Sequence, residues 1–164
     1  MKQAVLGLIG AGYLANAQHL PNLMFTPHAR LKTVCDLNGE AARAAAEKFH
    51  IPCVETDARK VFADPEIDGV VIVTREDQHA PLAIAALEAG KHVYVEKPLA
   101  DTRENCRKVV DAETRTGKRV AVGFNRRYVT MFGLQELRGS DPTSSWTTED
   151  RELVIMPIRI PEDK

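Results

Sequence analysis

Between Gln3 and Asn125, short apolar runs alternate with helix-patterned segments. A parallel sheet with helical crossovers is the architecture that such an alternation implies. The strand-like runs are Gln3–Gly10, Arg30–Asp36, a short one near Cys53–Glu55, Gly69–Thr74, Lys91–Glu96 and Lys118–Asn125. The run GVVIVT at Gly69–Thr74 is apolar without a break, as a central strand buried on both faces would be. Helices are predicted from about Tyr13 to Leu23, over Gly39–His50, and for one or two turns around Asp57–Asp64. A further helix ends near Gly90, with Pro81 expected in its first turn. The last one lies within Asp101–Gly117, capped by Asp101 or Thr102 and closed by Gly117.

Composition narrows the class without naming a function. The chain has 164 residues, 44% hydrophobic and 27% charged, which suits a globular protein with one good core and is short for two. A net charge of −1 supplies no general basic field for nucleic acid. The apolar stretches are strand-sized, so no membrane-spanning helix is expected. The N-terminal run weakly resembles a secretion signal, but its glycines fit a strand, turn and helix in place. Cys35, Cys53 and Cys106 lack metal-type spacing; they read as reduced residues of a cytoplasmic protein, and no metal site is expected.

The first turn carries chemistry. Gly10-Ala11-Gly12-Tyr13-Leu14-Ala15 fits G-x-G-x-x-G/A directly after a strand and at a helix start. Gly10 permits the tight turn, Gly12 lets a pyrophosphate approach the main chain, and Ala15 allows close helix–strand packing. A glycine turn that only packs a helix on a sheet would look the same. Asp36, at the end of the second strand, stands where a carboxylate accepts hydrogen bonds from an adenosine ribose, though a helix cap or solvated strand end would also suit it. A carboxylate there repels a 2′-phosphate, and Leu37-Asn38 offers no cation, so NAD is expected over NADP. The fold class is therefore α/β, a doubly wound parallel Rossmann sheet of about six strands.

Ligands of open parallel sheets lie beyond the carboxyl ends of the strands. Three polar stretches follow apolar runs at that edge: Thr74–His79, Glu96–Pro98 and Gly123–Tyr128. Together with GAGYLA and Asp36, they resemble the glucose–fructose oxidoreductase/inositol dehydrogenase (Gfo/Idh/MocA) family over roughly residues 3–130. The resemblance implies NAD(P)-dependent hydride transfer to or from a sugar, cyclitol or related secondary alcohol. It places Lys97 beside the nicotinamide and the reacting hydroxyl as the catalytic residue. Gly10, Gly12, Tyr13, Leu14, Asp36, Thr74, His79, Glu96, Pro98 and Asn125 would border the cofactor. His79 would either contact it or orient the start of a helix. Arg126 and Arg127 would contact substrate or salt-bridge a neighbouring domain. Arg75-Glu76 departs from the Pro-Asn common in the family.

Residues 1–125 thus read as the dinucleotide-binding domain. Residues 126–164 read as a C-terminal extension that starts a truncated second domain. A short helix around Thr130–Leu137 and a strand over Arg151–Pro161 are expected in it, the strand either folding back on the sheet or pairing with another chain in a homodimer or a strand exchange. Family enzymes take an Asp and a His from the second domain to bind substrate and move its proton. The last histidine here is His92. Cofactor binding with little activity alone is the expectation, and a non-enzymatic dinucleotide-binding module or partner subunit is the alternative.

Overall fold

The computed structural model describes residues 3–124. Its strands are β1 (Ala4–Ile9), β2 (Ala29–Cys35), β3 (Cys53–Glu55), β4 (Gly69–Ile72), β5 (His92–Glu96) and β6 (Val120–Gly123). Between them run α1 (Leu20–Phe25), α2 (Gly39–Phe49), α3 (Ala58–Ala63), α4 (Glu76–Glu88) and α5 (Arg103–Thr116). The six strands form one sheet in the order β3-β2-β1-β4-β5-β6, and every pair in it is parallel. The chain reverses its direction of travel across the sheet between β1 and β4, the switch point at which such sheets bind ligands.

The register brings the site to one edge. Cys35 pairs with Ile9, Ile9 with Ile72, and Ile72 with Val95. Asp36, Gly10, Val73 and Glu96, each the next residue, therefore emerge together at the carboxyl end of the sheet.

Both faces of the sheet are covered. Val70 and Ile72 join Val5, Ile9, Ala83, Leu87 and Val109 on one side. Val71 and Val73 join Leu8, Leu20, Val34, Ala45 and Ile51 on the other. The uninterrupted apolar run of β4 has this cause, since successive strand residues point to opposite faces.

Local chemistry sets the helix ends. The Asn38 side chain accepts from the amides of Glu40 and Ala41 at the start of α2, Asp57 from Arg59 at α3, and Thr102 from Asn105 at α5. Gly117 closes α5 in the left-handed region. Two expectations change. Pro81 lies inside α4, not in its first turn, because the helix begins at Glu76. Glu76 and Asp77 occupy that first turn, where carboxylates complement the helix dipole. Pro81 and Asp77, whose carbonyl it cannot serve, are both exposed residues. The first helix is also not uniformly α: Ala15–His19 is a π-turn before α1, and Pro21 follows immediately behind it. The expectations for Asn125, Arg126, Arg127, Thr130–Leu137 and Arg151–Pro161 lie outside the described residues.

Candidate functional site

The glycine turn is built from two glycines with different reasons to be glycine. Gly10 has φ +98°, and a Cβ on it would overlap the carbonyl oxygen of Val73 on the neighbouring strand end. The protein's own packing demands it. At Gly12 a Cβ would meet no atom within 4 Å, so no neighbour among the described residues accounts for its missing side chain. The space in front of it suits a group that must approach the main chain closely. Tyr13 is 88% exposed and Leu14 41%, while Ala15 behind them is fully buried. The first amides of a helix have no acceptor within it, so the amides here present a partial positive charge to that space. Asn16 braces the turn from behind, its Nδ2 donating to the carbonyls of Ala11 (2.7 Å) and Gly12 (3.0 Å).

Asp36 is tied into the same turn. Its Oδ2 accepts from the Ala11 amide at 2.7 Å and its Oδ1 from the Asn38 amide at 2.8 Å. Each oxygen retains a further acceptor position, so the carboxylate holds the glycine turn and can still receive sugar hydroxyls. Leu37 beside it is 94% exposed. Cys35, one residue earlier, is a buried free thiol whose pKa burial pushes up to about 11, which leaves it a packing residue.

At the ends of β4 and β5 the pattern is a buried frame behind an open front. His79 on α4 is 1% exposed. Its Nδ1 lies 2.6 Å from the Pro98 carbonyl and its Nε2 3.1 Å from the Thr74 carbonyl. It links the two strand ends through their main chains, and both ring nitrogens are engaged there. Glu96 is 4% exposed, and its Oε2 accepts from the Lys97 amide at 3.0 Å. Its Oε1 accepts from Nε2 of His19 at 2.8 Å. Lys97 and Pro98 are exposed, and the peptide between them is cis. The Arg75 side chain pairs with Asp77 at 3.4 Å on the solvent side of the α4 start.

Contacts therefore run from Asp36 through the glycine turn to Thr74, and on through His79 to Pro98. Asn125 lies outside the described residues. Sequence reasoning missed Asn16 and His19. Pro21, inside the expected helix, was the available signal of an irregular turn there, but nothing pointed to the partners of either side chain. Among the described residues no cluster of His, Cys, Asp and Glu could hold a metal ion, and no helix is long and apolar enough to cross a membrane.

Comparison with known proteins agrees with this geometry. Inositol 2-dehydrogenase of Salmonella typhimurium is 38% identical over 125 residues, covering 74% of this chain and 37% of that protein. Inositol 2-dehydrogenase of Rubrobacter xylanophilus is 38% identical over 129 residues, covering 77% and 37%. The crystal structure of myo-inositol dehydrogenase from Lactobacillus casei, in complex with NAD(H) and myo-inositol, superposes with a TM-score of 0.75 at 34% identity. That match covers 84% of this chain and 41% of the other. The chain thus spans little more than a third of the curated relatives it matches. A family model described as "Oxidoreductase family, NAD-binding Rossmann fold" matches residues 5–124, and the chain belongs to that family, Gfo/Idh/MocA, as its NAD-binding domain.

Proposed function

We propose that the carboxyl edge of this sheet binds NAD(H) in extended form for hydride transfer with a polyol, a sugar or a related secondary alcohol. The observation that carries the reading is the open space at Gly12, beside a glycine turn braced by Asp36 and Asn16. The adenosine ribose would lie at Asp36 after β2, and the pyrophosphate on the turn after β1. The nicotinamide would reach the ends of β4 and β5, three inter-strand spacings from β2, or about 14 Å. When bound, that nicotinamide supplies the hydride acceptor or donor. Lys97, with its main chain held and its side chain exposed, can bring an ammonium to a substrate oxygen and polarise it. His79 acts behind the site, through the main chain of Thr74 and Pro98. Inositol is the substrate named for the structural relative, and a polyol of that kind is the class proposed here.

Fluorescence titration with NADH and NADPH tests the reading. NADH should bind more tightly, and Asp36→Ala should weaken it by about tenfold, as expected when charged hydrogen bonds are lost. The comparison is demanding, because a side chain at Gly39 would touch the guanidinium of Arg43, so a cation does stand near this loop. Tighter binding of NADPH would reverse the cofactor preference. Failure to bind either at millimolar concentration would sink the assignment.

A further inference from the structure

The residue immediately before Lys97 is a buried carboxylate, and one of the groups that hold it comes from the far side of the glycine turn. We propose that His19 is a positioning residue for Lys97, acting through Glu96, and that the π-turn over Ala15–His19 is the device that delivers it. The inference rests on reading Lys97 as the group that faces the reacting hydroxyl.

The side chains of His19 and Glu96 are 12% and 5% exposed, and Nε2 stands 2.8 Å from Oε1. A carboxylate has no proton to give, so the imidazole donates. The other oxygen accepts from the Lys97 amide at 3.0 Å. Glu96 is thus fixed at both oxygens, one by the first helix and one by the main chain of the residue that follows it. Hydrogen bonds to an ionised partner are shorter and roughly twice as strong as neutral ones. On the other side of Lys97, the Pro98 carbonyl is met by His79 at 2.6 Å. The main chain at Lys97 is therefore held between the buried His79 and a carboxylate that the half-buried His19 fixes, while its side chain is left exposed.

The π-turn explains how His19 reaches this place. In an α-helix each residue turns by about 100°, and one extra residue in a wide turn carries everything after it round by that amount. The Leu20 amide bonds the Ala15 carbonyl, the five-residue span of a π-turn. Pro21, which has no amide hydrogen and would crowd the Ala17 carbonyl in a regular helix, falls directly behind it. After the turn, Leu20 is fully buried, and the His19 ring meets Tyr94 of β5 edge-on at 5.7 Å. The surroundings leave Glu96 little choice of position. A Cβ on Gly123 of β6 would overlap the Tyr94 hydroxyl and stand 3.3 Å from Glu96 Oε1.

The test uses NMR on the whole chain, comparing amide hydrogen exchange in wild type, His19→Leu, which keeps bulk without a donor, and His19→Gln, which restores one. In His19→Leu the Lys97 amide should exchange about tenfold faster, as loss of support for one charged hydrogen bond allows. The Val71 and Val95 amides should change by less than about twofold, and His19→Gln should return Lys97 toward the wild-type rate. NADH affinity should fall by about three- to tenfold in the Leu variant and recover in the Gln variant. An unchanged Lys97 amide in a folded His19→Leu protein overturns the proposal, as does a uniform rise across the strands, which would mark a merely structural role. Should His19→Leu not fold, the ring nitrogens of wild-type His19 decide. A protonated Nε2 in contact with Glu96 supports the proposal, and a bare Nε2 overturns it. Loss of local protection at Lys97 in a chain that binds no NADH would refute the cofactor reading instead, leaving the positioning of Lys97 in place.

Discussion

Strand β5 carries a lysine just outside each end, and the two have opposite fates. Lys91 is 7% exposed, and its ammonium donates to the carbonyls of Asp64 (2.6 Å) and Ile67 (2.8 Å). Lys97 is exposed; its amide is bound, and its ammonium has no partner among the described residues. The surroundings repeat the contrast. At the amino edge the charges satisfy one another: Lys32 contacts Asp64 at 2.6 Å and Glu66 at 3.1 Å, and Asp68 accepts from the Val5 amide at 2.8 Å. At the carboxyl edge, Asn16, Asp36 and His79 brace the main chain from behind, His19 fixes the Glu96 carboxylate, and Gly12, Tyr13 and Lys97 are left open in front. Charge alone does not mark a site in this sheet. What marks it is charge whose main chain is tied down and whose side chain is not.

Two glycines offer the sharpest way to break that comparison. Gly10→Ala places a methyl on the Val73 carbonyl at a φ of +98°. Overpacking costs about 1–3 kcal/mol and the left-handed backbone about 1–2 more, so thermal unfolding should show a loss of about 2–5 kcal/mol. Gly12→Ala should leave stability within about 0.5 kcal/mol, because the methyl meets nothing. It should nonetheless weaken NADH by about tenfold, a cost of about 1.4 kcal/mol. Equal stability losses in the two variants would erase the difference between a packed and an open glycine.

The lysines come next. Lys91→Met strips the buried Ile67 carbonyl of its lysine donor and leaves the half-buried Asp64 carbonyl only the Ile67 amide, and denaturant unfolding should show a loss of about 1–3 kcal/mol. Lys97→Met should cost no more than about 0.5 kcal/mol. The pH dependence of Lys91 has a definite sign. Burial holds its folded pKa below the ordinary 10.5, so the unfolded chain keeps the proton to higher pH. Stability should therefore rise with pH over the interval just below 10.5, and the Met variant should lose that rise.

The contrast between the two lysines was only half legible in the sequence. Alternating apolar runs placed the strands well, down to the three residues of β3, because burial on two faces writes itself directly into composition. Caps such as Thr102 and Gly117 act within a few residues and are similarly readable. Pro81 was misplaced because a proline's preference for a first turn competes with two carboxylates that claim that turn. Lys97 stood out because a polar residue interrupts an apolar strand end, and Lys91 interrupts one equally. What separates them is supplied by residues far away in the chain: Asp64 and Ile67 for one, His19 for the other, 77 residues before Glu96. No periodicity encodes such a partnership. The role of Asp36 as a brace on Ala11, 25 residues earlier, was hidden for the same reason.

The smallest effect belongs to the amino edge and tests whether its charges act through side chains at all. Asp64 contributes its main-chain carbonyl to Lys91 and its carboxylate to Lys32, so Asp64→Asn removes one contact and spares the other. The hydrogen bond from Lys32, helped by the Glu66 amide, holds the Asp64 pKa below the ordinary 3.8. A carboxyl with a depressed folded pKa contributes stability above its unfolded value, and that contribution fades as pH falls below 3.8 through the folded value. Wild type should therefore have the higher urea midpoint at about pH 6 and lose its lead over the Asn variant in strong acid. The Asp64 side chain is 24% exposed and that of Lys32 18%, so salt near 1 M should also narrow the gap. A gap indifferent to both pH and salt would mean that the amino edge is held by Lys91 and its carbonyls alone, and that the surrounding carboxylates contribute nothing to closing it.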